Sequence, residues 1–248
     1  MNWIAFDKSE LEDDNLQLCD ERANHIISVL KLSCGDKVRV SCINGLKGSA
    51  SIFSINGRNV HLKCELKKES KRSTIDLIIA MPRPKVMKRL WAQIAAIGVN
   101  RVFIINSQRV EQSYFDSHVL KFDNYHRRLI EGLSQSGESH IPEVKIYNKF
   151  SSLFDDMANI NYSNYLKLMA NPFTNFTIYD KSKTIQEFGK ILIAVGPEGG
   201  WIQSEMDFFI KNKFEQVTLG QRVLRSDTAV IGLLNLIRCI LDSDNNLI

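Results

Sequence analysis

Residues 195–201 read VGPEGGW, directly after the apolar run ILIAV at 191–195. Three glycines within five residues, Gly196, Gly199 and Gly200, at the end of a strand allow a ligand to approach the backbone closely. In an open α/β sheet ligands sit at that carboxyl edge. The spacing matches neither G-x-G-x-x-G nor G-x-x-x-x-G-K-[ST], so it reads as neither a dinucleotide fingerprint nor a P-loop. Ser204, with Asp207 three residues on, predicts the start of the next helix by a capping-box pattern. Read as structure alone, the stretch is a glycine-rich turn in which Glu198 caps locally.

Outward from this loop the same rhythm repeats. Apolar runs at 75–80, 102–105, 165–170 and 217–219 predict buried strands, and helical patterns cover 86–97, 125–133, 204–213 and 228–241. Fully apolar strands alternating with amphipathic helices predict an α/β domain, a parallel sheet with helices on both faces. The first seventy residues differ. Alternating runs at 38–42, 49–55 and 60–66 are broken by Asn44-Gly45 and Asn56-Gly57, which predicts hairpins with type I′ turns in a small β-barrel. A short helix over 23–32 precedes them. The charged run KKESKR at 67–72 reads as a linker, giving domains at 1–72 and 73–248.

Two further stretches complete the candidate site. LGQRVLRSDTA at 219–229 lies between the last strand and the last helix, which Ser226, Asp227 or Thr228 is expected to cap. Arg222 and Arg225 flank Val223-Leu224 and suit a phosphate or a developing anion; otherwise they form surface ion pairs. MPRPKVMKR at 81–89 carries Arg83, Lys85, Lys88 and Arg89 with no acid, and its prolines stiffen it. With Arg109 in NSQR at 106–109, these are the candidate nucleic-acid-binding residues, or else a solvated helix start. A parallel sheet would bring all four loops to one edge.

Composition narrows the function classes. With 44% hydrophobic and 24% charged residues among 248, the chain is expected to bury a substantial core, which excludes a mostly disordered chain. No apolar run approaches the ~20 residues needed to span a bilayer, and the acidic start MNWIAFDKSELEDD does not read as a secretory signal. Five scattered cysteines (Cys19, Cys34, Cys42, Cys64, Cys239) fit reduced thiols in a cytoplasmic protein. The five histidines show no ligand spacing, so no metal is expected, and no hydrolytic triad is readable. The formal charge of +4 is unevenly spread: residues 25–72 hold ten Lys/Arg against three acids. That stretch reads as an electrostatic footprint for nucleic acid, or as a solvated charged surface.

VGPEGGW at 195–201 together with LGQRVLRSDTA at 219–229 resembles the paired signature of the SPOUT methyltransferases, and more narrowly the RsmE family, which methylates N3 of a uridine in 16S ribosomal RNA. HIISVLKLSCGDKVRV from residue 25 is similar to that family's N-terminal PUA-like barrel, and MPRPKVMKRL and INSQRVEQSYFDS resemble a variant branch. The resemblance covers nearly the whole chain. It implies a trefoil-knotted sheet, S-adenosylmethionine as cofactor, a homodimer that builds the site, and 16S ribosomal RNA or the small subunit as partner. Carried over by residue, Gly196, Glu198, Gly199, Gly200, Leu219, Gly220, Leu224 and Arg225 line the cofactor pocket. Arg222 or Arg225 would stabilise the anion of the target base, with Asp227 as proton acceptor or helix cap. The alternatives are a SPOUT enzyme for another ribosomal or transfer RNA position and a non-catalytic RNA-binding ribosome-assembly factor. The chain departs from the family pattern at Ser226-Asp227 (usually Thr-Glu), at Gln93 and Ala96 (two charges lost) and at Glu138 (a charge reversed).

Overall fold

The structure is a computed structural model and describes residues 3–243. Two compact units divide the chain: residues 1–72 with Leu129–Ile141, and Ser73–Arg128 with Pro142–Ile248. The division is therefore not a single cut at residue 72.

In the first unit β1 (Trp3–Phe6), β2 (Leu11–Glu12), β3 (Asn15–Leu18), β4 (Lys37–Cys42), β5 (Lys47–Asn56) and β6 (Asn59–Lys68) form one sheet in the order β1-β4-β5-β6-β3-β2. Only the β1–β4 pair is parallel. Alternate residues such as Val38, Val40, Ile52, Val60 and Leu62 enclose the core, closed by Ala23 and Ile26 of the helical segment. That segment is shorter than the pattern suggests: α1 (Glu21–Asn24) is capped by Asp20 and runs on as a π-helical stretch to Val29. Both hairpins form, but not with type I′ geometry. Asn44 alone is left-handed in the first turn (φ 56°), and the second is centred on Gly57-Arg58 with only Gly57 at positive φ (63°).

Residues 129–141 join this unit through polar bonds. Lys47 donates from Nζ to the Gly137 carbonyl (3.0 Å) and to Glu138 Oε1 (2.8 Å), while the Asn44 N–H reaches the Ser139 carbonyl (2.8 Å). Gly137 is left-handed (φ 74°) and lies against the Trp3 indole, where any Cβ would stand 2.3 Å from Nε1. Glu138, the charge reversal noted above, thus binds buried Lys47 and accepts from Ser70.

In the second unit β7 (Ile75–Ala80), β8 (Arg101–Ile105), β9 (Glu143–Tyr147), β10 (Leu166–Ala170), β11 (Ile191–Val195) and β12 (Glu215–Val217) form an all-parallel sheet in the order β12-β10-β11-β7-β8-β9. Every residue of β7 and β11 is buried, which is why these strands lack alternation. One face packs on α4 (Phe150–Asn159) and α6 (Gln203–Lys211), joining Ile78, Phe103 and Leu192 to Leu153 and Phe209. α2 (Pro84–Ile97), α5 (Ser182–Phe188) and α7 (Ser226–Asp242) form the other layer, with α7 packed on both α2 and α5. α3 (Phe122–Ser136) follows two 3-10 turns. The sequence pattern does not mark β9, α4 and α5: β9 is EVKIY on the sheet edge, and the other two are short.

Candidate functional site

Because the sheet is parallel, the loops after β7, β8, β10, β11 and β12 all leave from one edge, as expected. The glycine loop 196–202 is built from both sides. Gly196 faces the buried Trp201 ring, which a Cβ would approach to 3.1 Å, and Gly200 adopts φ 74°. Arg83 donates its backbone N–H to Glu198 Oε1 (3.3 Å), and Arg109 donates from Nη1 to the Gly199 carbonyl. Arg109, expected to face RNA, is thus tied to the glycine loop, with its side chain packed over Gly199.

The helix after this loop does not start as expected. α6 begins at Gln203 behind Ile202, and Glu205, not Asp207, bonds back to the Ile202 N–H (3.1 Å). Glu205 is buried and also accepts from Gln108 N–H (2.9 Å) and Ser107 Oγ (3.2 Å), joining the loops after β8 and β11. Isoleucine at the cap position hides this from a motif search, although glutamate at the third helical position is the other half of a capping box.

The second motif turns on Thr218 and Gly220. Thr218 Oγ1 donates to the Gly220 carbonyl (2.9 Å), and Gly220 adopts φ 122°. Leu219 lies on α7 at Gly232, where a Cβ would meet its Cδ1 at 2.9 Å. A glycine inside an apolar helical run (AVIGLL) is the sequence sign of such close packing. Leu219, Leu224, Arg222, Ala229 and Leu233 line a cavity with Asn171 and Pro172 of the loop after β10. The glycines at 196, 199 and 200, Glu198, Gly220 and Arg225 are not among its lining residues. Its volume, about 70 Å³, is far below the ~300–1,000 Å³ typical of ligand pockets. Its apolar walls and exposed backbone turns fit one face of an adenine and not the whole of S-adenosylmethionine.

α7 starts without a side-chain cap: Arg225 is the cap residue, and Ser226 is already helical and buried, which corrects the capping expectation for Ser226, Asp227 and Thr228. Asp227 sits in the first turn, accepts the Thr228 N–H (3.0 Å), and pairs with Arg89 (3.4 Å) and with Arg225 Nε (3.8 Å). Arg225 itself is largely exposed, and so are Arg222 and the neighbouring Val223. Of the basic residues after β7, Arg83, Lys85, Lys88 and Arg89 are exposed, with Arg89 held by Asp227. Among the described residues there is no cluster of metal-ligating side chains, and no helix is long and apolar enough to cross a membrane.

Known proteins share both units. A family model described as an RNA methyltransferase domain matches residues 68–238, and one described as an RNA methyltransferase PUA domain matches residues 18–65. The ribosomal RNA small subunit methyltransferase E of Treponema pallidum is 30% identical over 92% of this chain and 87% of its own length. The ribosomal RNA small subunit methyltransferase E 1 of Borreliella burgdorferi is 26% identical over 94% and 95%. The crystal structure of the Neisseria gonorrhoeae ribosomal RNA small subunit methyltransferase E bound to S-adenosyl methionine has the same fold. Its TM-score is 0.76 at 20% identity, over 97% of this chain and 98% of that one.

Proposed function

The chain belongs to the ribosomal RNA small subunit methyltransferase E family, and on that premise we propose that it methylates N3 of a uridine in 16S ribosomal RNA with S-adenosylmethionine as donor. The observation that carries the reading is the placement of the glycine loop, the Leu219–Leu224 slot and two exposed arginines along one carboxyl edge of a parallel sheet. When bound, the cofactor supplies an electrophilic methyl on a sulfonium.

The protein's part is positioning and electrostatics. Leu219 and Leu224 pack on the adenine, and the turns at Gly196–Gly200 and Gly220 offer backbone N–H and C=O groups to its polar edge. Neutral uracil carries a proton on N3; that N–H bond breaks first, its proton passing to solvent, and the negative charge spreads onto O2 and O4 before N3 takes the methyl in exchange for the donor's S–CH3 bond. Arg225, with Arg222 beside the slot, stabilises that charge. Asp227 positions Arg225 and Arg89, since its oxygens are already engaged by both guanidinium groups and by the Thr228 N–H. Holding methyl and nitrogen in line contributes the rest of the acceleration.

A single protomer's slot is short of the whole cofactor, and Val223 (71% exposed) and Leu236 (43%) leave apolar surface on and before α7. Both features support a homodimer that completes the site. The parallel crossovers around β10–β12 support the trefoil knot, and a ribosomal substrate supports action in the cytoplasm. The exposed Lys37, Lys63 and Lys68 of the first unit would hold RNA backbone; Lys47 is withdrawn from that surface by Glu138.

Nucleoside mass spectrometry of 16S ribosomal RNA from a deletion strain tests the assignment. Loss of 3-methyluridine, restored by the gene in trans, is the expected outcome. Persistence of 3-methyluridine with loss of another methylnucleoside would move the enzyme to a different RNA position, and no change at all would favour a binding factor.

A further inference from the structure

A second concavity in the α/β unit lies outside the cofactor slot. It has a volume of about 270 Å³ and lies between the first turns of α2 and α3 and the turn before α3. Lys85 and Lys88 line one wall, three residues apart on one helical face. Asn124, Arg127 and Arg128, at the equivalent spacing of three and four residues, line the other, with His118 between. Among the described residues no carboxylate lines this pocket. It therefore concentrates cationic donors in a concave, partly enclosed space, where their field is focused. A volume just under the usual small-molecule range suits a phosphate with its sugar better than a whole cofactor.

Its place is informative. Lys85 and Lys88 stand two and five residues after Arg83, whose N–H bonds Glu198 of the glycine loop, so they rise only about 3–8 Å along the helix axis from that loop. On the same helix, Arg89 bonds Asp227 of the second motif. We infer that this pocket seats a backbone phosphodiester of the RNA strand close to the nucleotide presented for methylation, with Arg127 as a phosphate-binding residue alongside Lys85 and Lys88. The inference rests on the RNA-methylation reading for its ligand. It assigns the start of α3 to RNA binding, which the sequence motifs do not touch.

Titrations of in vitro transcribed 16S ribosomal RNA, free of protein, at several salt concentrations test it through Arg127→Gln, Lys88→Gln and their double variant. Lys183→Gln on exposed α5 controls for generic loss of one positive charge. For a phosphate in the pocket, the slope of log affinity against log salt falls by about 0.7 in size, and affinity at physiological salt falls about three- to tenfold. The double variant falls no further in slope than the loss of that one phosphate, and Lys183→Gln leaves both quantities at the parent value. S-adenosylmethionine affinity by calorimetry stays at the parent value in every variant, which also reports that the unit is folded.

Parent slopes in both single variants overturn the pocket, even in an enzyme that methylates normally. Equal losses in Lys183→Gln overturn it as diffuse charge. An unchanged slope on free RNA with weakened binding to assembled subunits would assign the pocket to a ribosomal protein instead. If the parent transfers no methyl to 16S RNA while the slope still drops in the variants, the pocket stands and the methylation reading falls.

Discussion

The two edges of the parallel sheet use charge in opposite ways. At the amino edge Asp76 is fully buried in β7, yet it accepts from Asn100 (2.8 Å) and Tyr162 (3.0 Å) and lies 3.6 Å from Arg101 Nε. Nearby, Arg238 at the far end of α7 donates to the Gly98 carbonyl (2.6 Å) and Ser73 Oγ (3.0 Å), so the cations of that edge are engaged within the fold. At the carboxyl edge Arg222 and Arg225 stand largely in solvent, and Arg225 approaches Asp227 no closer than 3.8 Å. A cation satisfied within the fold contributes to stability, whereas one left open at a ligand-binding edge remains free for an anion. With the carboxyl edge as the proposed site and the amino edge as a structural one, substitutions at the two ends should separate function from stability.

The largest separation is expected at Arg225. Arg225→Ala removes a group on which the fold does not depend, so thermal unfolding should stay cooperative with its midpoint within about a degree of the parent, as for an exposed surface change. Methyl transfer should fall by about 100- to 1,000-fold, the range for losing one donor to a developing oxyanion. Single-turnover transfer on 16S RNA beside differential scanning calorimetry measures both. Full activity would remove Arg225 from the mechanism and erase the contrast at its functional end.

Asp76→Ala is the converse. It leaves the Tyr162 hydroxyl and the Asn100 amide without their acceptor and Arg101 without its counter-charge. Removing one partner of a buried ion pair costs about 3 kcal/mol, here at the low end because Arg101 is partly exposed. Denaturant unfolding should show that loss, while S-adenosylmethionine affinity measured in the folded range should hold at the parent value. A variant as stable as the parent that bound the cofactor poorly would mean that the amino edge is coupled to the site.

How far each edge was legible in the sequence follows the same physics. The glycine loop and β11 were readable because a strand buried on both faces is uniformly apolar and its glycines stand out at the end. The second motif was readable for its composition, but not for how it starts α7: Ser226 and Asp227 look like caps, and the backbone instead enters the helix at Arg225. Glu205 is not legible because its partners Gln108 and Ser107 lie 97 and 98 residues away in sequence, a relation that only tertiary packing creates. The basic pocket was half legible: Lys85 and Lys88 lie in a basic run, whereas Arg127 and Arg128 lie on a mixed-charge helix whose face is fixed by packing. The Asp76 network left only a trace, an acid inside the apolar run IDLIIA, because its partners come from β8, the loop before it and the segment before β10.

The smallest effect separates stability contributions by pH. Burial raises the Asp76 carboxyl above its ordinary value, with the Asn100 bond opposing that shift. A raised folded value means that the folded state binds the proton more tightly, so this group's contribution to stability grows as pH falls from neutral towards about 4, and it levels off below the unfolded value. Glu10 and Asp20 in the first unit run the other way: bonds from Arg22 hold both carboxyls below their usual values. Their stabilisation is present above about pH 4 and is lost as pH falls through the depressed folded values. The stability of the parent minus that of Asp76→Asn should therefore rise between pH 7 and pH 4, and the same difference against Asp20→Asn should fall below pH 4. Denaturant midpoints at each pH, read from a reporter in the unit concerned, give both signs. A difference for Asp76→Asn that is flat across pH 4–7 would mean that its carboxyl is charged in the fold throughout, fully compensated by Arg101, and that the amino edge is an ion pair whose burial carries no net penalty.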